Sequence, residues 1–304
     1  MFAPPPSIDA EVFAEIPESF MIRSKLSVWG DVHVRNPDLP VFLEGPSFDR
    51  EGNLWVVDIP WGRLFKITPD GQVSCELEYD GRPNGLKFHK DGRAFIADGK
   101  NGLMVFDPRK GAIEPVLRDV LLEPFKGLND LHFASNGDLY FTDQGHTGLH
   151  DPSGRLFRLG ADGKLECLLS NVPSPNGLVL DTSERTLYLA ATRGNAVWRV
   201  PLVEDGLVMR VGIFIQMSGG NGPDGLAIDA TDGLAICHLG LGSVWLLSPQ
   251  GEPILRIRTP DAPLTTNCAF GGPDRRQLYI TTPSAVLVAP VPVSGAPMFS
   301  HSEF

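Results

Sequence analysis

The chain has 304 residues, a length that folds as one large domain or two ordinary ones and can bury a sizeable core. Its 37 acidic and 26 basic residues leave a formal net charge of −11 with no basic cluster, which argues against a nucleic-acid groove or a polybasic membrane patch. Four scattered cysteines, Cys75, Cys167, Cys237 and Cys268, form no C-x-x-C pair, exclude a disulfide scaffold and read as buried thiols of a reducing compartment.

Met1 to Ala10 holds three prolines and no basic residue, so it is not expected to act as a secretory signal. No run reaches the roughly 18 apolar residues of a membrane span, and a cytoplasmic location is expected. Glycine (33) and proline (27), spread over the whole chain, disfavour long helices and set aside helical bundles and TIM barrels.

Glu11-Val-Phe-Ala-Glu-Ile is the first strand-like run, and residues 21–40 fit no strand pattern and read as an insertion. From there the chain repeats one unit. An apolar run, a turn rich in Asp, Gly or Asn, and a second run ending in an acid recur at Asp49–Asp58, Asp91–Asp98 and Ser135–Asp143, as β-hairpins do. Third runs follow, such as Gly62-Arg-Leu-Phe-Lys-Ile, Gly154-Arg-Leu-Phe-Arg-Leu and Gly242-Ser-Val-Trp-Leu-Leu.

One polar position precedes each first run: Glu44, Asn84, Asn129, Asn176, Asp224 and Asn267, spaced 40 to 48 residues apart. That period is the length of a four-stranded propeller blade. Fourteen residues after each anchor stand Asp58, Asp98, Asp143, Ala190, His238 and Thr281, each ending a second run. The reading is an all-β, six-bladed propeller of four-stranded antiparallel blades, a single domain over 1–304. The sixth blade shows only three runs after Thr266, so Glu11 to Ile16 is expected to supply its fourth strand and close the ring.

In such a ring the six anchors share one mouth of the central channel, and one Glu, one Asp and four Asn make a hard-cation site of the kind calcium takes. Asn84-Gly85 and Asn176-Gly177 taken singly read as turns. Asp58, Asp98 and Asp143 have their own bland reading, as residues that end strands and tie turns. Loops after the second strands are expected at the mouth and offer His146, Arg193, His238 and Trp61 as substrate contacts, together with Asn84. His89 and His132 read as structural.

The ordered motifs Glu44-Gly-Pro-Ser-Phe, Leu128-Asn-Asp-Leu, Ser174-Pro-Asn-Gly-Leu, Gly222-Pro-Asp-Gly-Leu and Thr265-Thr-Asn-Cys-Ala-Phe-Gly-Gly-Pro-Asp give the chain a resemblance to the SMP-30/regucalcin/gluconolactonase family over residues 41 to about 290. The resemblance implies a lactonase that opens a small-molecule lactone to a hydroxy acid with one divalent metal ion. Calcium is the first choice, with zinc, manganese and magnesium as alternatives. It maps the ligands onto Glu44, Asn129, Asn176 and Asp224, and a water-directed base onto Asp224, with Asp130 and Asp143 behind it. The regucalcin branch carries an arginine two residues before the ligand asparagine, where this chain has Gly127, so a polyhydroxylated sugar loses one anchor. Competing readings are an organophosphate or ester hydrolase on the same metal, and a non-catalytic propeller that binds a ligand or partner.

Overall fold

Alternating apolar residues bounded by Gly, Asp and Asn turns build six antiparallel four-stranded sheets. The structure is a computed structural model that describes residues 4–203 and 208–302. The first strands of blades one to six are Leu43–Phe48, Pro83–Phe88, Leu128–Phe133, Pro175–Leu180, Gly222–Ile228 and Cys268–Gly271. Each touches the next around the ring, and the sixth touches the first, so they line the channel. Six apolar layers fill the six interfaces between blades: for example Leu86 and Ile96 meet Trp55 and Leu64 between blades one and two. Between blades two and three, Phe141 stacks on Phe157 with centroids 5.4 Å apart.

Glu11–Glu15 pairs antiparallel with Ala285–Pro290 and supplies the sixth blade's outer strand, as the repeat required. The residues just before it do something the sequence did not announce. Ser7–Asp9 adds a fifth, parallel strand to blade five against Pro253–Arg258, with Asp9 paired to Arg258 at 2.7 Å. The N-terminus thus joins the last two blades.

The insertion at 21–40 carries the one α-helix among the described residues, Val28–Val34. Ser27 caps it, its Oγ accepting from Gly30 N at 2.9 Å, and Trp29 anchors it against Phe42, centroids 4.9 Å apart. No helix among the described residues is long and apolar enough to cross a membrane. The reading of four buried thiols needs correction: Cys237 and Cys268 are buried, Cys75 is half-buried and Cys167 is exposed on its blade's outer strand.

At the other end of the channel lies a cavity of about 360 Å3 lined by Lys87, His132, Phe133, Phe270 and Phe299 among others. The C-terminal segment crosses it. Phe299 stacks on Phe133 with centroids 4.9 Å apart, and Arg50 donates to the carbonyls of Ser300 and Ser302.

Candidate active site

Each of the first five blades breaks its ladder at the same place. The register between first and second strands slips at Glu44/Ser47, Pro83/Gly85, Leu128/Leu131, Pro175/Leu178 and Pro223/Leu226. A bulge re-aims the side chains on its strand, so the slip frees the anchors from the ordinary in-and-out alternation. In blade three it brings Asp130, directly after Asn129, into the same cluster as the other anchors.

The glycine after the anchor makes the crowding tolerable. A Cβ on Gly85 would lie 2.5 Å from Asp130 Oδ1, one on Gly177 would lie 2.5 Å from Asp224 O, and one on Gly225 would overlap the Asn267 amide. Asn84-Gly85 and Asn176-Gly177 are therefore not turns. They lie inside strands, and the glycines let the next blade's first strand close in.

Three carboxylates meet in this crowded zone. Glu44 is 4% exposed, Asp130 2% and Asp224 6%. Asn267 Nδ2 donates to Glu44 Oε2 at 2.9 Å and to Asp130 Oδ2 at 3.3 Å. Burial pushes Glu44 well above the ordinary carboxylate range, and the charges of Asp224 and Asp130 push it further. Burial raises Asp224 to about 8, against a hydrogen bond from Asn176 and with help from Asp130's charge. Asp130 is also raised by burial, with Lys87 pulling the other way. Lys87 donates to Pro46 O at 3.3 Å.

Asn129 commits its Nδ2 to Gln144 Oε1 at 3.0 Å, and Gln144 Nε2 is held in turn by Ser174 Oγ at 3.0 Å. That arrangement keeps the Asn129 carbonyl oxygen free to face a cation. Gln144 was not singled out from sequence, because a glutamine in a loop carries no motif.

For the acids at the ends of the second strands the bland reading prevails. Asp58 accepts from Phe42 N at 2.8 Å, Asp98 from Arg82 N at 3.0 Å and Asp143 from Gly127 N at 2.9 Å. The donor is each time the residue two before the anchor. Arg63 fills the other oxygen of Asp58, and Arg155 the other oxygen of Asp143, at 2.8 and 2.7 Å. Asp143, expected as a reserve base, therefore has both oxygens taken and serves as a tie. So does His238, expected as a substrate contact: its Nε2 bonds to Gly219 O at 2.9 Å and its Nδ1 accepts from Trp245 Nε1 at 3.2 Å.

The helix of the insertion reaches the mouth. His33 stacks on Trp29 and on His146, with centroids 4.8 and 5.3 Å apart. Burial lowers His33 to about 4, and the charges of His146, Arg82 and Arg193 add to the effect. The charges of His146, Arg193 and Arg82 all reach His33, and Trp29, His33 and Arg82 are additions to the residues singled out from sequence. Trp61 is half-buried and donates to Leu39 O at 3.2 Å, fastening the insertion. Asn84 is half-buried in its strand.

Among the described residues no three His, Cys, Asp or Glu side chains stand in a metal-binding arrangement, so a cation here has to draw on amide as well as carboxylate oxygens. The residues fit that demand. Glu44, Asp130 and Asp224 are buried and mutually repelling, Asn176 and Asn129 lie with them, and all the donors are oxygens, the set that calcium prefers over zinc.

The fold and site define a six-bladed propeller with a carboxylate and amide centre at one channel mouth. Residues 42–284 match the family described as the SMP-30/Gluconolactonase/LRE-like region, and the chain belongs to that family. Among its relatives is "Lactonase drp35" of Staphylococcus aureus (strain MRSA252), 31% identical over 230 residues, 72% of this chain and 70% of that protein. A solved structure of regucalcin, a calcium-binding protein from Agrobacterium tumefaciens, aligns with TM-score 0.77 and 23% identity over 98% of both chains. A Xanthomonas campestris gluconolactonase aligns with TM-score 0.75 and 22% identity, over 94% of this chain and 99% of that one. At these identities the two structures speak for the fold alone.

Proposed function

We propose that the protein hydrolyses a lactone to a hydroxy acid, the six blades acting as one domain, with Glu44, Asn129, Asn176 and Asp224 holding a divalent cation, calcium first. The observation that carries this reading is the convergence of three buried carboxylates at one end of the channel, two of them, Glu44 and Asp130, joined through Asn267. A purely binding propeller gains nothing from burying three mutually repelling acids. The lactonase relative, 31% identical over 72% of this chain, supports the substrate class, and the all-oxygen donor set supports the ion.

When bound, the cation supplies Lewis acidity to the ester carbonyl. The residues supply the rest. With Glu44 and Asp224 committed as ligands, Asp130 becomes the first choice to accept the proton of the attacking water, ahead of Asp224; its Oδ2 takes only the long bond from Asn267. Water oxygen bonds to the carbonyl carbon, the ring C–O bond breaks, and the proton held at Asp130 passes to the departing ring oxygen. Buried side chains around the centre keep the geometry fixed.

An organophosphate or ester hydrolase would use the same groups, and the names of the relatives favour the lactone. The test is a panel of lactones followed by acid release in a pH indicator, with calcium and with chelator. Calcium-dependent acid release is the expected result. Full turnover in chelator removes the metal from the reading, and no turnover of any lactone removes the reaction.

A further inference from the structure

Two guanidinia stand at the mouth without a use in this chemistry. Arg82 precedes Asn84 by two residues, and its backbone is fixed at both groups, the N–H donating to Asp98 and the carbonyl accepting from Gly99 N. Arg193 lies in the 3-10 turn Thr192–Gly194 after blade four's second strand, where a Cβ added to Gly148 would be 3.5 Å from its Cγ. Among the described residues neither guanidinium is in an ion pair or a side-chain hydrogen bond. Arg63 and Arg155, at the same end of blades one and three, are instead locked onto Asp58 and Asp143.

The positions of these two charges are coherent. Both bear on His33, in the helix at the mouth, and the charge of Arg193 also reaches Asp224 inside the channel. The other charge that bears on His33, that of His146, is basic too. This local positive rim lies on a protein of net charge −11 and above three buried acids. A neutral lactone has no need of it. An anionic one is repelled by the rest of the molecule and needs such a rim to enter. Guanidinium offers paired N–H donors that match carboxylate or phosphate oxygens, and an unpaired one at an open site keeps them available.

We propose that Arg82 and Arg193 receive an anionic group of the substrate, so that the lactone taken here carries a carboxylate or a phosphate outside its ring. The proposal rests on the lactonase reading and narrows its substrate class.

The test compares the full chain with its Arg82→Gln/Arg193→Gln double variant, both with calcium, on three lactones of equal ring size bearing a hydroxymethyl, a carboxylate or a phosphate. Both side chains are on exposed residues, so the variant should fold, which circular dichroism checks. Wild type should favour one of the anionic lactones over the neutral one by about tenfold or more in kcat/KM, and the double variant should lose about tenfold of that ratio. The two anionic arms decide which group is bound. An unchanged ratio, or a wild type that prefers the neutral lactone, overturns the proposal.

A binding arm separates this from the parent reading. Tetrahydropyrans bearing the same three groups cannot be hydrolysed, and their binding is followed by ligand-observed NMR. If no lactone turns over, the lactonase reading fails, yet anion-selective binding that is lost in the double variant still supports the arginine site. Equal binding by both proteins, or none by wild type, overturns it.

Discussion

The Nδ2 of Asn267 lies 2.9 Å from Oε2 of Glu44, so the last blade of the ring is tied to the first through the candidate site itself. The same nitrogen reaches Asp130, and Asn267 Oδ1 accepts from Cys268 N at 2.8 Å, which fixes the amide's orientation. Asn267 thus positions two carboxylates without being among the expected ligands. Asn267→Ala should lower calcium affinity and turnover together by about tenfold or more, as loss of an outer partner does at metal sites. Calorimetric calcium titration beside an activity assay checks this, and a variant with unaltered affinity would sink it.

Asp130 and Asp224 should separate by readout. Asp224→Asn and Glu44→Gln are expected to lose calcium binding and activity at once. Asp130→Asn should keep calcium affinity within a few-fold while kcat falls by about 100-fold or more, the range for a missing general base. If Asp130→Asn instead abolishes calcium binding and Asp224→Asn spares it, the two roles are reversed.

The raised carboxylates make a prediction about pH. Burial lifts Asp224 to about 8, far above the ordinary aspartate value, and Glu44 shifts the same way. Between those limits the folded, metal-free protein holds more protons than the unfolded chain, so this part of its stability is full in acid and is lost as pH rises toward 8. Calcium needs the ionised forms and must displace those protons. In chelator, Tm should fall as pH goes from 5 to 8. The gain in Tm on adding calcium should grow over the same interval, and calcium binding should release protons whose uptake by buffer is measurable in calorimetry. A calcium effect independent of pH would contradict the protonated cluster.

Much of this was legible beforehand, for a physical reason. Blades repeat because each must bury both faces against a neighbour, so the period, the six anchors and the N-terminal closing strand all leave marks in the chain. The tie from Asp58, Asp98 and Asp143 to the residue two before each anchor is a repeat feature too, which accounts for those acids recurring in register. What stayed hidden depends on contacts between distant segments. Gln144 holds Asn129, and His33 meets His146 from an insertion with no pattern of its own. The resemblance names Asp130 as a reserve base, but the bulge that accompanies its place in the cluster is invisible to a period-two reading.

Glycines of the anchor motifs were the signal most readily misread, and they give the sharpest structural test. Gly225 has an ordinary backbone conformation, so its requirement is space: an alanine Cβ there would overlap the Asn267 amide. Gly225→Ala should therefore displace Asn267 from Glu44 and strain the junction of blades five and six, costing about 1–3 kcal/mol as overpacking does. Gly212, which opens blade four's outer strand, has nothing within 4 Å of an added Cβ, and Gly212→Ala should stay within about 0.5 kcal/mol of wild type. Denaturant melts and calcium titrations on the two variants make the comparison. Gly225→Ala should lose stability and calcium affinity together, and an outcome in which it matches Gly212→Ala in both would mean that the approach of the fifth and sixth first strands does not set the geometry of the centre.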